Sequence, residues 1–177
     1  PTRPMAELVL EQLHAAGLER GQIRFVCALG AHGAHTREDF VKKLGSDIVE
    51  QYLVCNHNAY EGCVHMGQTS RGTPVSINAD VAACDLKIGL GAITAHIYNG
   101  FGGGSKIMLP GVAAIESIEA SHRLVIDHLR QNRMPPISGL GTLNDFGMRQ
   151  DIQEAGNLSA FTLRWISILI PCSGLLA

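Results

Sequence analysis

Charge of either sign is scarce in this chain of 177 residues. Asp, Glu, Lys and Arg together make up 17% of it, and the formal net charge is −2. A protein that grips DNA or RNA electrostatically needs a basic face, so the composition argues against nucleic acid as a partner. Aromatic residues are equally sparse at 5%, which leaves little material for base-stacking platforms. Long hydrophobic runs are missing too. The most apolar stretch, residues 165–170, is far short of the roughly 20 residues that span a bilayer, and residues 1–4 (Pro-Thr-Arg-Pro) are not expected to open a signal peptide. The five cysteines (Cys27, Cys55, Cys63, Cys84, Cys172) include no CxxC pair. Buried free thiols in a cytoplasmic protein are the expectation.

What is present is an ordinary globular balance, with 46% hydrophobic residues, in a length suited to one domain with a real core. The chain starts without Met and stops at Ala177, soon after an apolar run. It reads as a fragment, a single domain over residues 1–177.

Periodicity predicts a helix over residues 5–16, closed by Gly17, and a buried strand over 23–29 that ends in Gly30-Ala31-His32-Gly33. Thr36 with Asp39 has the form of an N-cap, opening a helix that stops at Gly45. Short strands are expected over 52–55, 63–66 and 75–78, with a turn over 69–74. A short helix over 79–84 starts behind Asn78. Further strands are predicted over 86–93 and 161–170, and helices over 113–131 and 148–155. On the longer helix Ile115, Ile118, His122, Val125, Ile126 and Leu129 fall near one stripe. Strands alternating with helices predict an α/β domain, Rossmann-like and layered, with a mainly parallel sheet flanked by helices. Loops at the carboxyl ends of its strands would build the ligand site, so His32 and His96 should meet on one edge.

Residues 100–104 contain four glycines, a backbone able to press against a ligand. Phosphate cradling is the usual physical use of such a loop. The segment is neither a Walker A motif, because Ser105 precedes Lys106 and Ile107 follows, nor a dinucleotide fingerprint. Alone it also fits a flexible surface loop. Histidine, the natural acid/base near neutral pH and a common metal ligand, occurs eight times. His14 suits a solvated helix face, and His35, His57 and His65 suit hydrogen-bonding roles in or beside loops. His128 lies about 240° around its helix from His122 and should not share a site with it. Singly, His32, His96 and His122 are read as structural; their company with the glycine loop changes the balance.

Read together, these residues resemble a known family. Ala95-His96, Gly100-Phe101-Gly102-Gly103-Gly104-Ser105-Lys106, Leu109-Pro110-Gly111 and Ser121-His122 are similar, in order and spacing, to the signature of the nickel-dependent lactate racemases. Upstream, Ala28–His32 resembles that family's Thr-Gly-x-His motif, and Thr2-Arg3-Pro4 the tail of its Asp-x-Thr-Arg-Pro motif. Thr69–Pro74 and Asn78 also fit, so the resemblance covers nearly the whole chain. Gly33, Ala95, Gly102 and Ser121 stand where the family usually has Arg, Pro, Ser and Asn. The resemblance implies a racemase or epimerase of a small 2-hydroxy acid. Its cofactor would be a nickel-pincer nucleotide, a pyridinium mononucleotide with sulfur arms around nickel. Lys106 would attach to one arm and His122 would ligate nickel. Arg3 and the glycines Gly102, Gly103 and Gly104 would hold the phosphate. His32 and His96 would be the acid/base pair, one for each enantiomer, while hydride passes to the pyridinium ring and back. A second, C-terminal domain would supply further substrate contacts. Two other readings stay open: a zinc hydrolase built on His32, His96 and His122, and a non-catalytic nucleotide- or phosphate-binding module.

Overall fold

The computed structural model describes residues 2–132 and 147–160. Helix α1 (Thr2–Ala15) starts earlier than its apolar spacing indicates. Pro4 sits in its first turn, where a missing N–H costs nothing. Strand β1 (Arg24–Cys27) is followed by α2 (Arg37–Leu44) and α3 (Ser46–Gln51), then by β2 (Leu53–Asn56). Thr36 and Asp39 form the expected reciprocal cap on α2. The Thr36 hydroxyl accepts from Asp39 N–H at 3.2 Å, and the Asp39 carboxylate accepts from Thr36 N–H at 2.9 Å. A hairpin follows, β3 (Cys63–Gln68) and β4 (Pro74–Asn78), with the short helix α4 (Ala79–Ala82) capped by Asn78. The strands β5 (Ala95–His96) and β6 (Gly100–Phe101) precede a 3-10 turn over Gly104–Ile107, and α5 (Ile115–Asn132) and α6 (Gly147–Leu158) complete the described chain.

The α/β class holds, but the described strands do not join into one mainly parallel sheet. They form three separate pairs: β1 with β2 is parallel, while β3 with β4 and β5 with β6 are antiparallel. Connection length decides this. Two helices intervene between β1 and β2, enough for a parallel crossover, whereas the other pairs are joined by short turns that only reverse the chain. Residues 86–93, expected as a strand, form none of these. Lys87 turns back so that its amine donates to the Cys84 carbonyl at 2.6 Å, and Gly91 lies against Ile107. The segment runs on as a rail under the glycine loop, where Thr94 carbonyl accepts from Gly102 N–H at 2.7 Å. The strand expected over 161–170 and the loop over 133–146 lie outside the described residues.

Two apolar clusters hold the elements. Ala6, Leu10, Leu44 and Ile48 join α1, α2 and α3 beneath Phe25 and Val54 of the parallel pair. Val75, Ile77, Met108, Leu109, Ile118, Val125, Met148 and Ile152 join β4, α5 and α6 around the Leu-Pro-Gly turn. On α5, Ile118 and Val125 are buried as expected, but Ile126 is exposed. Cys27, Cys55, Cys63 and Cys84 are free, though half-buried rather than fully enclosed. Residues 69–74 clamp α6: Thr69 hydroxyl donates to Asp151 at 2.5 Å, Ser70 bonds Glu154 through N–H and hydroxyl, and Arg71 reaches Gln150.

His57 is buried and its Nε2 lies 2.9 Å from the Ala113 carbonyl. Burial pushes its pKa below the ordinary 6.5, and the bond to Ala113 only partly opposes this. The folded state therefore binds fewer protons than the unfolded one as pH falls through and below that value, and stability falls with it. Urea melts at pH 7.5 and 5.5 should show a loss on acidification that is smaller in His57→Gln. Equal losses would remove His57 as the cause.

Candidate functional site

The backbone brings distant motifs together at the carboxyl end of β1. Beyond Cys27 the chain turns, and Gly30 N–H donates to the Gly111 carbonyl at 2.8 Å. That bond joins the His32 loop to the Leu109-Pro110-Gly111 turn, which continues from Lys106 on one side and leads into α5 and His122 on the other. Here lies a cavity of about 1050 Å³ lined by, among others, His32, Gly102, Gly103, Lys106 and His122. Its walls include Leu29, Ile107 and Ile118, so polar groups inside it meet less water than on an open surface.

Each side chain arrives in a definable state. On α5, His122 Nδ1 lies 2.7 Å from the Ile118 carbonyl. A carbonyl only accepts, so Nδ1 carries the proton and Nε2 keeps its lone pair. An imidazole that ligates metal through Nε2 needs this tautomer. Lys106 projects from the 3-10 turn and is half-buried. Burial first, then the neighbouring Arg149 cation, pull its pKa below the ordinary lysine value, which makes the free amine more accessible. His96 is not among the lining residues, yet burial, Lys106 and His122 all lower its pKa, in that order. It is therefore close enough to both to feel their charge. His96 Nδ1 accepts from Tyr98 N–H at 3.2 Å, so the neutral ring presents an N–H at Nε2. The His32 imidazole makes no hydrogen bond among the described residues; only its backbone N–H is engaged, by the Leu29 carbonyl.

The glycine loop is shaped by backbone contact. Gly103 has φ 73° and ψ −174°, a region essentially closed to other residues. A Cβ there would stand 3.1 Å from the Ala92 carbonyl oxygen. Gly103→Ala should cost about 1–3 kcal/mol, read as a lowered urea midpoint. An unshifted midpoint would mean that the loop is not held in this form.

Arg3 stands apart. It is exposed on α1, bonded to Glu7 at 2.7 Å and to Asp47 at 3.3 Å, and does not line the cavity. Gly104 does not line it either, but lies beside Arg149. Sequence reasoning passed over Arg149 and over Lys43, a lining residue at the end of α2. A signal for Arg149 existed: a cation in the first turn of a helix opposes the helix dipole. Among the described residues no three His, Cys, Asp or Glu side chains are grouped so as to hold a metal. The protein alone thus offers no three-imidazole zinc site there.

Fold and site together define an α/β domain with a polar-tipped, apolar-walled pocket fed by a glycine turn. The family model for the lactate racemase N-terminal domain matches residues 1–133, and the chain belongs to that family. Lactate racemase of Lactiplantibacillus plantarum is 34% identical over 124 residues, and that of Thermoanaerobacterium thermosaccharolyticum 30% over the same length. Each alignment takes in 69% of this chain, which spans 29% of either relative. The fold is similar to the solved lactate racemase apoprotein of T. thermosaccharolyticum, with a TM-score of 0.80 at 24% identity over 91% of this chain and 37% of that one. A Thermotoga maritima protein gives 0.71 at 22% identity, over 89% and 39% respectively. No helix among the described residues is long and apolar enough to cross a membrane.

Proposed function

We propose that this chain is the cofactor-carrying domain of a cytoplasmic racemase or epimerase of a small 2-hydroxy acid, completed by a C-terminal domain of the same protein. The observation that carries the reading is the gathering of His32, Lys106 and His122 on one cavity, with His96 in electrostatic reach of the last two. The residues fit a nickel-pincer nucleotide. A single imidazole with a free Nε2 lone pair suits a metal whose other donors come from the nucleotide, and Lys106 offers a half-buried amine of weakened basicity.

When bound, that nucleotide supplies nickel and a pyridinium carbon able to take up and return hydride. The protein's part is to hold and to move protons. His122 would ligate the metal through Nε2, Lys106 would anchor the nucleotide through its amine, and Gly102 and Gly103 would let it approach the backbone. Arg3 would have to give up Glu7 and Asp47 to grip a phosphate; the backbone of the glycine turn needs no such exchange. His32, its ring unengaged, takes the substrate hydroxyl proton for one enantiomer. His96, through Nε2–H, steadies the same oxygen, and the two exchange duties for the other enantiomer. Apolar walls keep water from competing for the substrate oxygen.

The test uses full-length protein made alongside the enzymes that build the nucleotide. It should interconvert D and L forms of a 2-hydroxy acid, and a Lys106 peptide should carry the added mass. Loaded protein that exchanges no member of a broad 2-hydroxy-acid panel would end the racemase reading.

A further inference from the structure

The cavity extends well beyond the side chains placed in it so far. Its polar end carries His32, Lys106 and His122, and from there an arm runs back along the whole of β1. The strand alone gives that arm a length of about 10 Å, at about 3.3 Å per residue. Apolar side chains face it from several directions. Val9 and Leu13 stand one turn apart on α1, with Leu18 beyond that helix; Ile23 and Phe25 lie on one face at the start of β1; Leu90 comes from the rail under the glycine loop. All of these are only partly buried, although they share one cavity. Protein interiors close such gaps to crystal-like density, so a space that stays open between hydrocarbon walls is one an apolar guest can enter.

A nucleotide does not suit this arm. The residues that would hold one, Gly102, Gly103, Lys106 and His122, belong to the glycine turn and α5, whereas the side chains of Val9, Leu13, Leu18 and Ile23 offer no donor or acceptor to a ribose or phosphate. Nor does an anion suit it. Besides Lys106, the charged lining residues are Arg24, Lys43 and Asp85; all three are exposed, and Arg24 is held by Asp80 at 2.9 Å. A charged group drawn in among the apolar walls would lose its water without compensation. A hydrocarbon chain gains by leaving water and covers the open flanks of the walls as it does so.

We infer that this arm holds the hydrocarbon side chain of the substrate, so that the acid is a medium-chain 2-hydroxy acid with its carboxyl and hydroxyl groups at the polar end and its chain along β1. The inference rests on the proposed function for the acid head alone; the chain is assigned by the cavity. Each methylene that enters the arm should strengthen binding by about fourfold.

Full-length protein free of nucleotide is titrated by calorimetry with lactate, 2-hydroxybutyrate, 2-hydroxyhexanoate and 2-hydroxyoctanoate. Affinity should climb with chain length, by about 100-fold from the butyrate to the octanoate. Leu13→Trp, which puts an indole into the arm, should flatten that climb. Leu8→Trp, at an exposed position of α1 outside the cavity, should bind like wild type, which separates the arm from mere adhesion to the helix. A second measurement needs no variant: 2-hydroxyoctanoate should shift the methyl resonances of Val9, Leu13 and Ile23, and lactate should not. The inference is overturned if affinity is independent of chain length, if Leu13→Trp folds and keeps the climb, or if those methyls do not move. Loaded protein that racemises lactate and 2-hydroxyoctanoate with equal kcat/KM would also overturn it and leave the proposed function standing. Graded binding with no racemisation of any member would keep the chain site and end the racemase reading.

Discussion

His122→Ala in the loaded full-length protein should reduce retained nickel to background while leaving the fold intact. Ile118, one turn earlier on α5, fixes the ring through its carbonyl and leaves Nε2 free, so the proposed ligand is pre-oriented before metal arrives. Removing even an outer-shell partner of a metal ligand typically costs about 10–100-fold in affinity, and removing the ligand itself should cost more. The check is metal analysis after gel filtration, with circular dichroism to confirm folding. Nickel content equal to wild type would remove His122 as the ligand. Because His122 is only partly buried, its truncation leaves no large cavity in the α5 core.

His32→Ala and His96→Ala should each lower turnover by about 10²–10⁴-fold, the usual contribution of a positioned acid or base, with nickel still bound. The two should not behave alike. His32 has an unengaged ring, whereas His96 is set by Tyr98 N–H as a donor at Nε2. To accept a proton at Nε2, His96 must shift its own proton to Nδ1 and give up the Tyr98 bond. Initial rates from the D and L substrates should therefore be affected to different extents in the two variants, although the overall equilibrium between enantiomers cannot change. Full activity in either variant would exclude that residue from proton transfer.

Much of the architecture was legible because its signals are local. The Thr36–Asp39 cap, the Gly45 stop and the Asn78 cap depend on residues three or four apart, and all three stand where the sequence indicates. Pairing was less legible, since direction depends on what separates two strands. The five-residue turn between β3 and β4 already excluded a parallel crossover there. The stretch 86–93 misled because an apolar run resembles a buried strand, while the inward Lys87 and the close packing of Gly91 on Ile107 set it against the glycine loop instead. For the site, fixed motif order was the strong signal. It could not reveal Arg149, whose charge bears on Lys106 only once α6 has packed beside the glycine turn. Nor could it reveal that Arg3 also reaches Asp47, an encounter that arises only when α1 meets α3; its other partner, Glu7, is one helical turn away in α1 and lay within reach of sequence reasoning.

The hydrogen bond from Gly30 to Gly111 has a practical use. It forms only when β1 and the turn ahead of α5 have docked, so the exchange of that one amide proton with deuterated water clocks pocket assembly independently of catalysis. A domain whose Gly30 amide exchanges at the free-peptide rate has not yet built a place for any ligand, however helical its spectrum.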